Sequence, residues 1–122
     1  MTTAVRGAIQ VEENSRQSIA AATTRLVGVL LRANGIAEDR IVSIIFSLTE
    51  DLSAMNPAAA LRETGFARTP LFCTQEARID GAMPRVIRVL LTFEHAAPHE
   101  AVPVYLEGAQ ALRADLAREE RP

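Results

Sequence analysis

The sequence has no lysine and no tryptophan, and it holds one cysteine, one tyrosine and two histidines. Each shortage excludes something. A lone Cys73 cannot close an intrachain disulfide, and two histidines cannot by themselves build a metal cage. Aromatic residues at 4% leave no platform for stacking RNA bases. No Gly-rich phosphate loop is present. No apolar run approaches the ~18 residues of a membrane span, and the opening Met1-Thr2-Thr3-Ala4 lacks the apolar stretch of a signal peptide. A cytoplasmic chain with no membrane partner is the expectation. A formal net charge of -2 argues against nucleic acid as well.

What remains is ordinary globular composition, 48% hydrophobic and 23% charged over 122 residues. That length supports one core and one domain, residues 1–122, with a flexible tail from about 117. All 13 basic residues are Arg, and Ala fills 21 positions, a pairing that GC-rich coding accounts for. Every cation is therefore a permanently charged planar fork, suited to gripping carboxylates in bidentate fashion.

The pattern predicts a strand over Ala4 to Val11, with Arg6-Gly7 set inside it. Asn14 followed by Gln17 reads as a capping-box-like helix start. Ile19, Ala22, Leu26, Val29, Leu30 and Ala33 then recur at helical spacing up to the stop Asn34-Gly35. Ile41 to Leu48 is a near-continuous apolar run and reads as a buried strand. Asn56-Pro57 opens a short helix through Arg62. Strands are predicted at Leu71 to Glu76, Val86 to Phe93 and Val102 to Leu106, with a turn at Asp80-Gly81. His95 to His99 reads as a solvent-facing loop. Residues 107–116 fit a strand or a helical turn equally. The class is α+β, a mixed five-stranded sheet covered on one face by one long helix and a short one. The other face then needs a cover, and a second copy of the chain is the simplest.

Some residues sit where packing would not put them. Arg88 interrupts Val86-Ile87-Arg88-Val89-Leu90-Leu91, where a guanidinium is costly unless paired or facing a polar cavity. Arg6 repeats the puzzle in the first strand. Cys73-Thr74-Gln75-Glu76 gathers a thiol, an amide and a carboxylate at a strand end, and Glu76 is a natural partner for Arg88. Cys73 has no adjacent base and reads as inert. Glu12-Glu13 and Glu50-Asp51 flank a helix start or turn, where acids are common.

In order along the chain stand Val5-Arg6-Gly7-Ala8-Ile9, Thr49-Glu50-Asp51-Leu52, Pro57-Ala58, Arg62, Cys73-Thr74-Gln75-Glu76, Val86-Ile87-Arg88-Val89 and Val104-Tyr105-Leu106-Glu107. Each motif is short, but the ordered set, spanning Val5 to about Leu116, resembles the monofunctional homotrimeric α+β class of chorismate mutase. The resemblance implies three sheets packed into a pseudo-barrel, with clefts between subunits. It implies catalytic roles for Arg88, toward the breaking ether oxygen of chorismate, and for Glu76 and Cys73 at the ring hydroxyl. Arg6 and Tyr105 would bind the side-chain carboxylate, and Arg62 would reach in from a neighbouring subunit. Phe72, Thr74, Gln75, Asn56, Ala58 and Leu112 would line the substrate. Asn56 and Ala59 stand where some members carry an aromatic and a Lys, so the wall near Pro57 is expected to be wetter and less positive; Phe72 separately replaces a smaller polar residue of some relatives.

The implied reaction is an intramolecular [3,3] rearrangement of the chorismate dianion to prephenate, on the route to Phe and Tyr. It asks for no metal, cofactor or proton transfer. Two alternatives carry different chemistry: a trimeric enamine/imine deaminase-like enzyme, which must activate water, and a non-catalytic trimeric binding module.

Overall fold

A computed structural model describes residues 1–113 of the chain. Five strands, β1 (Thr2–Gln10), β2 (Ile41–Leu48), β3 (Leu71–Gln75), β4 (Val86–Glu94) and β5 (Val104–Leu106), form one sheet in the order β3-β2-β4-β1-β5. The centre is antiparallel, β4 pairing with both β1 and β2, while the edges β3 and β5 run parallel to their neighbours. The sheet is mixed, as predicted.

Helix α1 (Arg16–Asn34) lies across one face and buries Ile19, Leu26, Val27 and Leu30 against Val5, Ile9, Ile44, Phe46, Ile87 and Leu91. Its approach is close at Gly7, where a Cβ would stand 3.1 Å from Leu30 Cδ1 and from the Val104 carbonyl oxygen. That explains the glycine inside a strand. The helix ends on Gly35 at φ 61, with Ile36 N–H donating to the Leu31 carbonyl at 2.9 Å, a Schellman closure. Helix α2 (Pro57–Arg62) packs beside α1 on the same side of the sheet, with Ala58 and Leu61 in the core.

Several boundaries differ from expectation, each for a local reason. The N-cap of α1 is Ser15, whose hydroxyl accepts from Ser18 N–H, and not Asn14. The Asn14 side-chain Oδ1 instead accepts from the Ser53 and Ala54 N–H groups, both at 3.0 Å. β1 begins at Thr2, two residues early, because β4 extends to Glu94 opposite it. β5 starts only at Val104, since Pro103 cannot donate and Val102 is taken by Asn34, which accepts from its N–H at 2.8 Å and donates to its carbonyl at 3.0 Å. Residues 109–113 form a 3-10 turn and no strand, after Glu107 reverses the chain at φ 53. The expected tail from 117 lies outside the described residues. His95 and His99 are half-buried, not solvent-facing: their rings meet Phe93 at 5.4 and 5.5 Å and each other at 5.6 Å in tilted or edge-on contacts, and His99 Nε2 lies 3.0 Å from Asn34 Oδ1.

β2 is not covered on both faces. Val42 and Ile45 are exposed while Ile44 and Phe46 are sealed, so the helix-free side of the sheet stands open. Among the described residues, no helix is long and apolar enough to cross a membrane.

Candidate active site

Strand register gathers the out-of-place residues. Thr74, Ser47, Arg88, Ala8 and Tyr105 form one row across all five strands. The neighbouring row holds Phe72, Ile45, Leu90 and Arg6. Ile87, Val89 and Leu91 pack toward α1, so by strand alternation Arg88 and Leu90 point away from it, and both rows occupy the open face. β4 is the middle strand, not an edge, and the guanidinium is tolerable there because its face is uncovered in a single chain.

Arg88 Nε lies 2.8 Å from Glu76 Oε1, with the two side chains 43% and 31% exposed. The N–H does not align with that oxygen, so Nε is buried without a hydrogen bond and the contact is an ion pair only. Glu76 is fixed by its own N–H, which donates to the Leu48 carbonyl at 2.8 Å. Arg6 is exposed and has no hydrogen bond or ion pair with the described residues. Tyr105 is buried among Ala8, Val86, Ala109, Met83 and Leu112, which the 3-10 turn folds over it. A cleft of about 230 Å³ opens beside Glu76, walled by Thr49, Asp51, Arg78 and Met83. A larger hollow of about 750 Å³, between α1 and the end of β1, touches neither Arg6 nor Arg88.

The other predicted residues lie on the helix side. Cys73 registers with Phe46 and packs against the main core, where burial pushes its thiol above the ordinary range. One chain therefore does not bring Cys73 to the Arg88–Glu76 pair. Gln75 registers with Leu48 on that same side. Asn56 caps α2 by accepting from Ala58 N–H at 2.8 Å, Ala58 is buried, and Arg62 projects exposed from the helix's last turn. Arg6, Phe72, Thr74, Glu76, Arg88, Tyr105 and Leu112 are thus on one face, and Cys73, Gln75, Asn56, Ala58 and Arg62 are on the other.

Residue-by-residue reading passed over Ser47, which shares Arg88's row, and the stripe Phe72–Ile45–Leu90, whose outer members are 64% and 44% exposed. The signal was available in β2: Ser43 and Ser47 share a face, and polar residues at that spacing mark a wet side. Among the described residues, no three His, Cys, Asp or Glu side chains group as a metal site.

This α+β scaffold carries an arginine–carboxylate pair on the open face of its sheet, and similarity to known proteins matches it. Residues 2–116 match the family chorismate mutase type I. The chain is 42% identical over 118 residues to Chorismate mutase AroH of Thermus thermophilus, covering 95% of this chain and 97% of that one. It is 34% identical to Chorismate mutase AroH of Bacillus subtilis (strain 168), covering 95% and 93%. The structure of a chorismate mutase from Clostridium thermocellum superposes with a TM-score of 0.85 at 37% identity, covering 89% of this chain and 98% of that one. The chain belongs to the chorismate mutase type I family.

Proposed function

We propose that this chain is a chorismate mutase that rearranges chorismate to prephenate on the open face of the sheet, in clefts shared between the subunits of a homotrimer. The Arg88–Glu76 pair carries this reading: a fixed cation with an unengaged N–H on the central strand, beside a fixed carboxylate just past the edge strand β3. A pericyclic reaction needs no nucleophile and no proton transfer. Its catalyst holds the reactive pseudo-diaxial conformer and stabilises charge that builds on the breaking ether oxygen. Arg88 is the donor to that oxygen, and groups of this kind contribute ~3–4 kcal/mol each. Glu76 accepts from the ring hydroxyl. Arg6 and Tyr105, one row apart on the same face, hold the side-chain carboxylate, with Thr74, Phe72 and Leu112 as walls.

The second carboxylate falls to Arg62 of a neighbouring subunit. α2 lies on the far side of its own sheet, so Arg62 with Asn56 and Ala58 serves the cleft of the next chain. The exposed Phe72–Ile45–Leu90 stripe supports the trimer, since it is apolar surface that a soluble monomer leaves uncovered at a cost. Cys73 and Gln75, on the helix side of β3, border that cleft rather than face Arg88. The dianionic substrate explains convergent arginines on a chain whose net charge is -2. Prephenate leads on to Phe and Tyr, a biosynthetic route that a cytoplasmic enzyme would serve. Mixing purified protein with chorismate and following the loss of its absorbance tests the function: prephenate should form without additives, and an inert mixture refutes the assignment.

A further inference from the structure

The turn after β2 does more than connect it to α2. Arg85, the residue before β4, has φ 53, a left-handed conformation that a side chain with a Cβ adopts only under constraint. The constraint comes from Asp51. The Arg85 N–H donates to both carboxylate oxygens of Asp51, at 3.2 and 3.1 Å, and Arg85 Nε donates to the Val11 carbonyl at 2.9 Å. Asp51 is itself held by the Thr49 hydroxyl, which donates to Oδ1 at 2.5 Å and accepts from Val86 N–H at 3.1 Å. Thr49 N–H donates to the Val86 carbonyl at 3.1 Å, and Val11 N–H donates to the Arg85 carbonyl at 2.6 Å. The ends of β1, β2 and β4 therefore meet at one residue, three positions before Arg88. The neighbouring Leu48 carbonyl ties Glu76 to the end of β2 at 2.8 Å. Both members of the ion pair hang from strand ends joined through residues 48–51.

We infer that Asp51 is a positioning residue for Arg88: by holding Arg85 left-handed it sets how β4 enters the sheet, and so where the guanidinium stands relative to Glu76 and the substrate. A carboxylate suits the task because it accepts two hydrogen bonds from one constrained N–H while keeping a place for Thr49. Small displacements of a catalytic group are costly to rate, so the clamp acts on turnover more than on substrate binding. The inference rests on Arg88 facing the reacting oxygen, as proposed above.

The test is a double-mutant cycle between Asp51→Ala and Arg85→Gly, with Arg88→Ala alongside. Glycine takes φ 53 without restraint, so it removes the need for the clamp. Kinetics are measured at a temperature where circular dichroism finds every variant folded. In the native background, Asp51→Ala should lower kcat by roughly tenfold or more with KM little changed. In the Arg85→Gly background the same substitution should cost less than about threefold, because the two changes are coupled. A purely structural Asp51 would lower the melting temperature and leave kcat of the folded enzyme alone; that result, or equal losses in both backgrounds, overturns the inference. Should Asp51→Ala not fold alone, Asp51→Asn, which keeps one acceptor oxygen, takes its place in the cycle and is read by the same two outcomes. If Arg88→Ala retains activity, the fault lies with the assigned role of Arg88 and not with the clamp.

Discussion

The thiol of Cys73, raised by burial, stays protonated through the neutral range. A rearrangement that transfers no proton asks for no titrating group, so kcat/KM should stay nearly flat between about pH 6 and 8. A fall following a histidine-like titration in that range would contradict a pericyclic reaction. Arg88→Ala should lose roughly 10²–10³ in kcat, and Arg88→Lys should also be costly because an ammonium cannot reproduce the fork. Cys73→Ser should keep most activity, since Cys73 faces the core side of β3. Its raised folded pKa favours the protonated thiol, so its contribution to stability is intact at neutral pH and is lost as pH rises beyond the ordinary thiol range; denaturation curves of Cys73→Ser should lack that alkaline component. Arg88 and Glu76 were legible in the sequence because a charge inside an apolar strand is out of place. Asp51 was not: an acid beside a turn is common, and its partner is a backbone N–H 34 residues away.

The elements themselves follow from local chemistry. α1 was legible because its period and its Gly35 stop agree, while its start shifted by one residue between two adjacent capping types, Asn14 and Ser15. Sidedness was harder. β2 carries apolar residues on both faces, and only Ser43 and Ser47 mark the open one, too weak a signal beside Val42 and Ile45 for period alone to separate it from the face sealed by α1. The two faces answer to different substitutions. Gly7→Ala would push a methyl to 3.1 Å from Leu30 and from the Val104 carbonyl, and chemical denaturation should show a loss of ~1–3 kcal/mol. Leu90→Asp, at the centre of the open stripe, should leave the fold intact by circular dichroism but shift the sizing profile from trimer to monomer.

At the scale of the whole molecule, the two-sided division of site residues makes the proposed trimer an assembly of chains that each hold an incomplete site. In a closed ring each interface is heterologous, so every cleft borrows from one neighbour only. Arg62→Ala and Arg88→Ala should each be nearly inactive as pure proteins. Refolded together in equal amounts, they should recover activity at about a quarter of the sites, the share of interfaces that join an intact Arg62 to an intact Arg88. A mixture as inactive as its parents places each site within one chain. The strand register carries one more consequence, for synthesis. Thr2 pairs with Glu94, so β1 leaves the ribosome without a partner until β4 has followed it. α1 can form early from local contacts, but the sheet closes only through pairings of long sequence separation, a topology that folds slowly. A nascent chain stopped before Arg88 would hold β1 and β2 with the strand that joins them still missing. The central strand that presents the guanidinium is also the one whose arrival lets the protein fold.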